Sequence, residues 1–292
     1  MTTKCITKNS LDSLAKRNGH KFSHGHALIL SGGPAQTGAA RLAARGALRI
    51  GAGVVTLGVP PSAQMEVAGQ VTAVMVRRIA DAVVLGEVLK DERINALCLG
   101  PALGLGAREA ALVACALEKG TQGRAPSVVL DADALTLLAA DTSLFANLHE
   151  NCVLTPHAGE FARLFPDIAE KLNAPATSGP AYSKVDATRD AALRAGCTVL
   201  FKGSDTVIAG PDGRCSINSS AYERAAPWLA TAGAGDVLAG FITGLLARGF
   251  GPHMAAEAGA YLHTECALEF GAGLIAEDLP EQLPAVFRRL GV

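Results

Sequence analysis

Residues 231–236 read TAGAGD, with two glycines, an aspartate and an apolar stretch directly after them. Backbone N–H groups freed by Gly233, Ala234 and Gly235 at a helix start form a nest for an anion. Asp236, at the end of that nest, can take a proton from a substrate hydroxyl while the nest stabilises a phosphoryl group in transfer. An aspartate there can also simply cap the helix. The helix behind it, with Val237, Leu238, Phe241, Ile242, Leu245 and Leu246, is apolar over nearly its whole surface and makes a rigid mount. Lys202-Gly203 closes an apolar run and can meet a nucleotide phosphate, although a single lysine is more often solvated. His157 follows Thr155-Pro156 at another such end and can bind an amide or a phosphate. Asp131 and Asp133 can reach Mg²⁺ through water, and Asp133 can equally cap a helix. His263 is assigned to packing.

These groups need a scaffold, and the chain supplies one by alternation. Apolar runs at 26–31, 54–59, 95–100, 127–131, 151–155 and 198–201 read as strands, most of them stopped by glycine or proline. Runs 205–210 and 214–218 flank Pro211-Asp212-Gly213 and read as a hairpin. Helices are expected at 37–50, about 107–118, from 132, from Pro156, at 236–248 and, as the last long one, at about 253–270. The pattern predicts an α/β fold with a mostly parallel central sheet covered by helices on both faces. Residues 1–24 read as a polar lead-in, residues 25–292 as a single domain, and 172–183 as a loop. In open parallel sheets ligands sit beyond the carboxyl ends of the strands. Gly32-Gly33, 100–106, 131–133, 155–160, 202–203 and 233–236 all fall at such ends, which outlines one long cleft.

Composition narrows the classes. Of 292 residues 49% are hydrophobic but only 4% aromatic, with 32 glycines, so the core must be built from small aliphatic side chains at close backbone spacing. A net charge of -1 gives no reason to expect nucleic acid or an anionic membrane. Seven scattered cysteines without a CxxC pair read as reduced thiols of a cytoplasmic protein, not as a metal site. No secretory or membrane-spanning segment is expected. Gly33 to Gly38 has P-loop spacing, but Ala39 and Ala40 replace the Lys and Ser/Thr, so a P-loop is rejected. Gly51-x-Gly53 leads into a strand, so it is no dinucleotide fingerprint.

Taken in order, HKFSHGHALILSGG (20–33), TGAARLAARGALRIGAGVVTLGVP (37–60), LGPALG (99–104), VLDADALTLLA (129–139), LTPHAGEFARL (154–164), LFKGSDTVI (200–208) and ATAGAGDVLAGFITGLLARG (230–249) resemble the ADP-dependent NAD(P)H-hydrate dehydratases, of ribokinase-like fold. The resemblance implies dehydration of the S-epimer of hydrated NADH or NADPH, with ADP as co-substrate, giving AMP and phosphate. It implies that Ala39, Gly104, His157 and Asp236 meet the hydrated nicotinamide nucleotide. It also implies that Lys202, Gly203, Ser204, Asp205, Thr206 and Gly235 hold the adenine nucleotide. Asp236 would activate the hydroxyl, and Mg²⁺ would escort the phosphates without a protein metal cage of its own. A homo-oligomer is expected, in tetrameric form among many relatives, with any epimerase a separate protein. Gln36, Ala40, Ala102, Ala158, Ala234 and residues 219–229 depart from the family's usual pattern, which bears on substrate and nucleotide preference. Two other readings share the nest: a small-molecule kinase of the same superfamily, and a non-catalytic nucleotide-binding regulator.

Overall fold

Strand runs rich in Val, Leu and Ile assemble into one sheet in the computed structural model, which describes residues 2–8, 14–118, 126–175 and 179–292. Among these, the strands are β1 (Thr3–Cys5), β2 (His26–Leu30), β3 (Val54–Val59), β4 (Met75–Arg78), β5 (Ile94–Leu99), β6 (Ser127–Leu130), β7 (Cys152–Leu154), β8 (Thr198–Phe201), β9 (Asp205–Ala209) and β10 (Cys215–Ser219). Their order is β1-β10-β9-β8-β7-β6-β5-β2-β3-β4. Every pairing is parallel except those of β9, which runs antiparallel to β8 and to β10 as the expected hairpin.

The helices are α1 (Gly38–Arg49), α2 (Gln64–Ala68), α3 (Ala82–Leu89), α4 (Ala107–Leu117), α5 (Ala132–Ala140), α6 (Thr142–Ala146), α7 (Ala158–Leu164), α8 (Pro166–Asn173), α9 (Lys184–Ala195), α10 (Ala234–Ala247), α11 (Pro252–Phe270) and α12 (Asp278–Leu290). They divide between two cores because side chains alternate across each strand. Ala27 and Ile29 of β2 join α1, α10, α11 and α12 on one face, while Leu28 and Leu30 join α3, α4, α5, α7 and α9 on the other. The helices following β2 and β5, neighbours in the sheet, therefore cover opposite faces. Such a divergence at the carboxyl ends of neighbouring strands is where open sheets bind ligands.

Small residues set the spacing of α1 on α10. Ala40, Ala43, Ala44 and Ala47 are fully buried, and a Cβ built on Gly240 would lie 2.1 Å from the Ala43 carbonyl oxygen. Gly240→Ala should therefore push the two helices apart and cost about 1–3 kcal/mol as an overpacked core. A thermal unfolding midpoint equal to that of the parent chain would refute this.

Several elements differ from the sequence-based expectations. Residues 3–5 of the lead-in form β1 at the sheet edge, and Ile6 and Leu14 are buried in the α1/α10 core. The 172–183 stretch is helical as far as Asn173, and residues 176–178 within it lie outside the described ones. Helix α12 follows the helix expected to be last. Helix α7 opens at Ala158 rather than Pro156, because the His157 side chain caps it. All seven cysteines are free thiols, five of them buried. No helix among the described residues is long and apolar enough to cross a membrane.

Candidate active site

The loops at the strand ends lock onto one another. A Cβ on Gly32 would lie 1.9 Å from the Ala102 carbonyl oxygen, and one on Gly100 would lie 1.7 Å from that of Asp131. The loops after β2, β5 and β6 therefore touch backbone to backbone, which only glycine permits. Asp131 extends the chain of contacts. Its Oδ1 accepts from Thr155 Oγ1 at 2.7 Å and from Lys202 Nζ at 2.9 Å, joining the loops after β7 and β8. Lys202 Nζ also stands 3.8 Å from Glu160 Oε2. A Cβ on Gly235 would be 3.6 Å from the same ammonium, which brings the start of α10 against it.

Helix α10 begins two residues earlier than expected. Gly233, in the left-handed region at φ 88, is its N-cap, and Asp236 is the third helical residue. Asp236 therefore does not cap the helix. Gly233 is wedged between Leu42 and Ala276, so any Cβ there would collide. The N–H groups of Gly235 and Asp236 are taken by no carbonyl or side chain among the described residues, as expected for a first helical turn. Beneath them His263 Nε2 lies 2.8 Å from the Ala234 carbonyl oxygen. The carbonyl can only accept, so Nε2 carries the hydrogen. Burial pushes the His263 pKa down to about 4, so the imidazole stays neutral. His263, assigned from sequence to packing, thus also braces the nest.

The carboxylates divide around a single cation. Burial, with the nearby Asp131 charge, raises the Asp236 pKa to about 6, against the opposing pull of Lys202. Burial alone would lower Lys202, but Asp131, Glu160 and Asp236 outweigh it and hold the ammonium charged above its ordinary range. Three carboxylates facing one ammonium leave negative charge at the floor of the cleft. That donor set suits a hard divalent cation brought in with phosphates. Among the described residues no cluster of three or more His, Cys, Asp or Glu side chains could hold a metal unaided.

On the other side of the cleft, His157 Nδ1 accepts from the N–H groups of Gly159 and Glu160 at 3.0 and 3.3 Å. Its Nε2 faces Glu160 Oε1 at 3.3 Å, and Glu160 Oε2 accepts from the His157 N–H at 2.8 Å. Glu160, buried between His157 and Lys202, was not singled out from sequence; the reciprocal cap of His157 and Glu160 was its only local signal. Asp133 does not cap α5, since its Oδ2 accepts the Gly104 N–H at 2.8 Å. Ala39 lies half-buried in the first turn of α1, beside the β2 loop. Ser204 and Asp205 are exposed at the β8–β9 turn, and Thr206 Oγ1 donates to the Gly203 carbonyl at 3.0 Å. Beyond the nest an open depression of about 330 Å³ is lined by Pro227, Trp228, Ala230, Thr231, Leu274 and Ile275. Only the lone tryptophan could have signalled it in the sequence.

Comparison with known proteins agrees with this architecture. The family model described as NAD(P)H-hydrate dehydratase matches residues 27–286. A bifunctional NAD(P)H-hydrate repair enzyme of Moorella thermoacetica is 38% identical over 287 residues, which cover 94% of this chain and 51% of the relative. The chain spans about half the length of such bifunctional relatives. An ADP-dependent (S)-NAD(P)H-hydrate dehydratase of Neisseria meningitidis serogroup B is 35% identical, covering 93% of this chain and 86% of the relative. The ADP/ATP-dependent NAD(P)H-hydrate dehydratase from Bacillus subtilis, co-crystallised with ATP/Mg²⁺, superposes with a TM-score of 0.77 at 26% identity, covering 99% of each chain. With its ribokinase-like sheet and interlocked strand-end loops, this chain belongs to the NAD(P)H-hydrate dehydratase family.

Proposed function

We propose that the chain is an ADP-dependent (S)-NAD(P)H-hydrate dehydratase that returns hydrated NADH or NADPH to the intact cofactor. The observation that carries this reading is Asp236, a carboxylate of raised pKa set among unpaired helix N–H groups and beside Lys202. Asp236 takes the proton of the C6 hydroxyl of the hydrate. The hydroxyl oxygen bonds to the β-phosphorus of ADP, and the bond from that phosphorus to the bridging oxygen breaks, leaving AMP. Hydroxide is a poor leaving group and phosphate a good one. The C6–O bond therefore breaks with its electron pair on phosphate, and loss of a proton from the neighbouring carbon restores the ring double bond.

In this reading the N–H groups of Gly233, Gly235 and Asp236 stabilise the phosphoryl oxygens in flight, whereas that of Ala234, expected from sequence in the nest, is turned to the Thr231 carbonyl at 3.4 Å. Lys202 and the 203–206 loop hold the remaining phosphates, and the depression at Trp228 takes the adenine base. Ala39, Gly104 and His157 bind the hydrate at the β2/β5 carboxyl ends. Mg²⁺, with Asp131 and Asp236 within reach through water, would neutralise the nucleotide phosphates. The active form is a homo-oligomer, with a tetramer as the assembly to test, working in the cytoplasm beside an NAD(P)HX epimerase.

The decisive assay supplies hydrated NADH with ADP and follows the return of dihydronicotinamide absorbance. Recovery with stoichiometric AMP and phosphate supports the dehydratase. Accumulation of a stable phosphorylated alcohol from ATP, without recovery, would replace it with a kinase. The pH profile adds a second check. Asp236 accepts a proton only when ionised, and its pKa stands near 6. The kcat/KM should therefore fall about tenfold per pH unit below pH ~6. A flat profile between about pH 4.5 and 7 would count against Asp236 as the base.

A further inference from the structure

The turn between β8 and β9 is held by a lysine outside it. Four successive carbonyls there, from Lys202 to Asp205, all accept hydrogen bonds from within the protein. Lys184 Nζ donates to Lys202 at 3.0 Å and to Asp205 at 2.6 Å. Thr206 Oγ1 serves Gly203 at 3.0 Å, and the Ser220 N–H serves Ser204 at 2.7 Å. In a trans peptide the N–H points away from the C=O. The N–H groups of Gly203 and Ser204 are correspondingly taken by no group among the described residues, and both residues are exposed.

Lys184 stands where a cation is disfavoured. It is the first residue of α9, at the positive end of the helix dipole. Its ammonium lies 4.3 Å over the Phe201 ring, which itself stacks on Phe161. The ring attracts the cation, but the helix terminus and the burial of the ammonium both disfavour it, and a lysine serving only solubility would meet neither cost.

We propose that Lys184 is a positioning residue for the nucleotide. It holds the Lys202–Asp205 turn so that the outward N–H groups of Gly203 and Ser204 meet the phosphates of a nucleoside diphosphate. This rests on the reading of 202–206 as the nucleotide loop. Burial lowers the Lys184 pKa to about 8, and Asp205 is the charged group that opposes the shift. On its own helix, the nearby Asp186 is engaged by Ser183, and Phe201 and Phe161 present only rings.

The test is calorimetric titration of ADP into the parent chain, Lys184→Met and Lys184→Arg, from about pH 7 to 9.5. Lys184→Met should raise the Kd for ADP roughly tenfold or more at neutral pH, the weight of two bonds from a charged donor. Affinity of the parent should decline through about pH 8. Lys184→Arg, whose guanidinium keeps its charge, should show no such alkaline loss. A folded Lys184→Met that binds ADP as the parent does would overturn the role of Lys184 alone. An alkaline profile identical in the parent and Lys184→Arg would do the same, and it remains readable if the Met variant does not fold. A parent chain that binds no ADP at any pH would overturn the nucleotide reading and this inference with it.

Discussion

Asp236→Asn is expected to reduce kcat for ADP-dependent dehydration by about three orders of magnitude while making the protein more heat-stable at neutral pH. The kinetic loss follows from removing the proton acceptor at a phosphoryl-transfer site, where a positioned base contributes roughly 10²–10⁴-fold. The N–H nest that holds the phosphoryl group is left in place, so binding of both nucleotides should survive. The gain in stability follows from linkage. Burial and the neighbouring Asp131 raise the pKa of Asp236 from 3.8 to about 6, so the folded state binds this proton more tightly than the unfolded chain does. The resulting stabilisation is present in acid and is lost as pH rises through about 6. Above that, the ionised carboxylate sits where the fold disfavours it, at a cost of up to about 3 kcal/mol. Asparagine has no charge to bury. The variant should therefore unfold at a higher temperature than its parent near pH 8, and the advantage should vanish near pH 4. A variant that is inactive but equally or less stable at pH 8 would mean that Asp236 is not held in a strained, desolvated position.

The parts of the fold legible in the sequence were those encoded locally. Val54–Val59 and Thr198–Phe201 were read with their observed boundaries, because a buried parallel strand is a continuous apolar run. Strand β4 escaped notice because Met75–Arg78 at the sheet edge is largely exposed and carries two arginines. Helix α12 escaped because its apolar positions are interleaved with acids, arginines and Pro284. Thr231–Asp236 was legible as a nest, but not the residue at which its helix starts. That depends on Gly233 entering the left-handed region between Leu42 and Ala276, two neighbours brought there by tertiary packing. The ion network was least legible. Asp131 and Lys202 are 71 positions apart, and their pairing exists only because β6, β7 and β8 lie side by side. His263 looked like any histidine in an apolar helix, since its partner is a backbone carbonyl 29 positions away.

That network supplies the other large effect. Lys202→Met should lose ADP-dependent turnover and also destabilise the fold by about 3–5 kcal/mol, the penalty for removing one partner of a buried ion pair. Its ammonium is the counter-charge of Asp131, whose side chain is 3% exposed, and a nearby one for Glu160, at 7%. Methionine matches the length of the stem but leaves both carboxylates without it. The loss of stability and the loss of function have separate causes, and a second substitution separates them. Asp131→Asn on the Lys202→Met background removes the most buried orphaned charge while keeping an oxygen to accept from Thr155. Much of the unfolding temperature should return, because a neutral pair in a desolvated site costs little. Turnover should not return, because the lysine that holds the nucleotide phosphates is still missing. A double variant that regains both would show that Lys202 serves only to neutralise Asp131. A Lys202→Met chain as stable as its parent would show that the floor of the cleft tolerates its carboxylates unaided.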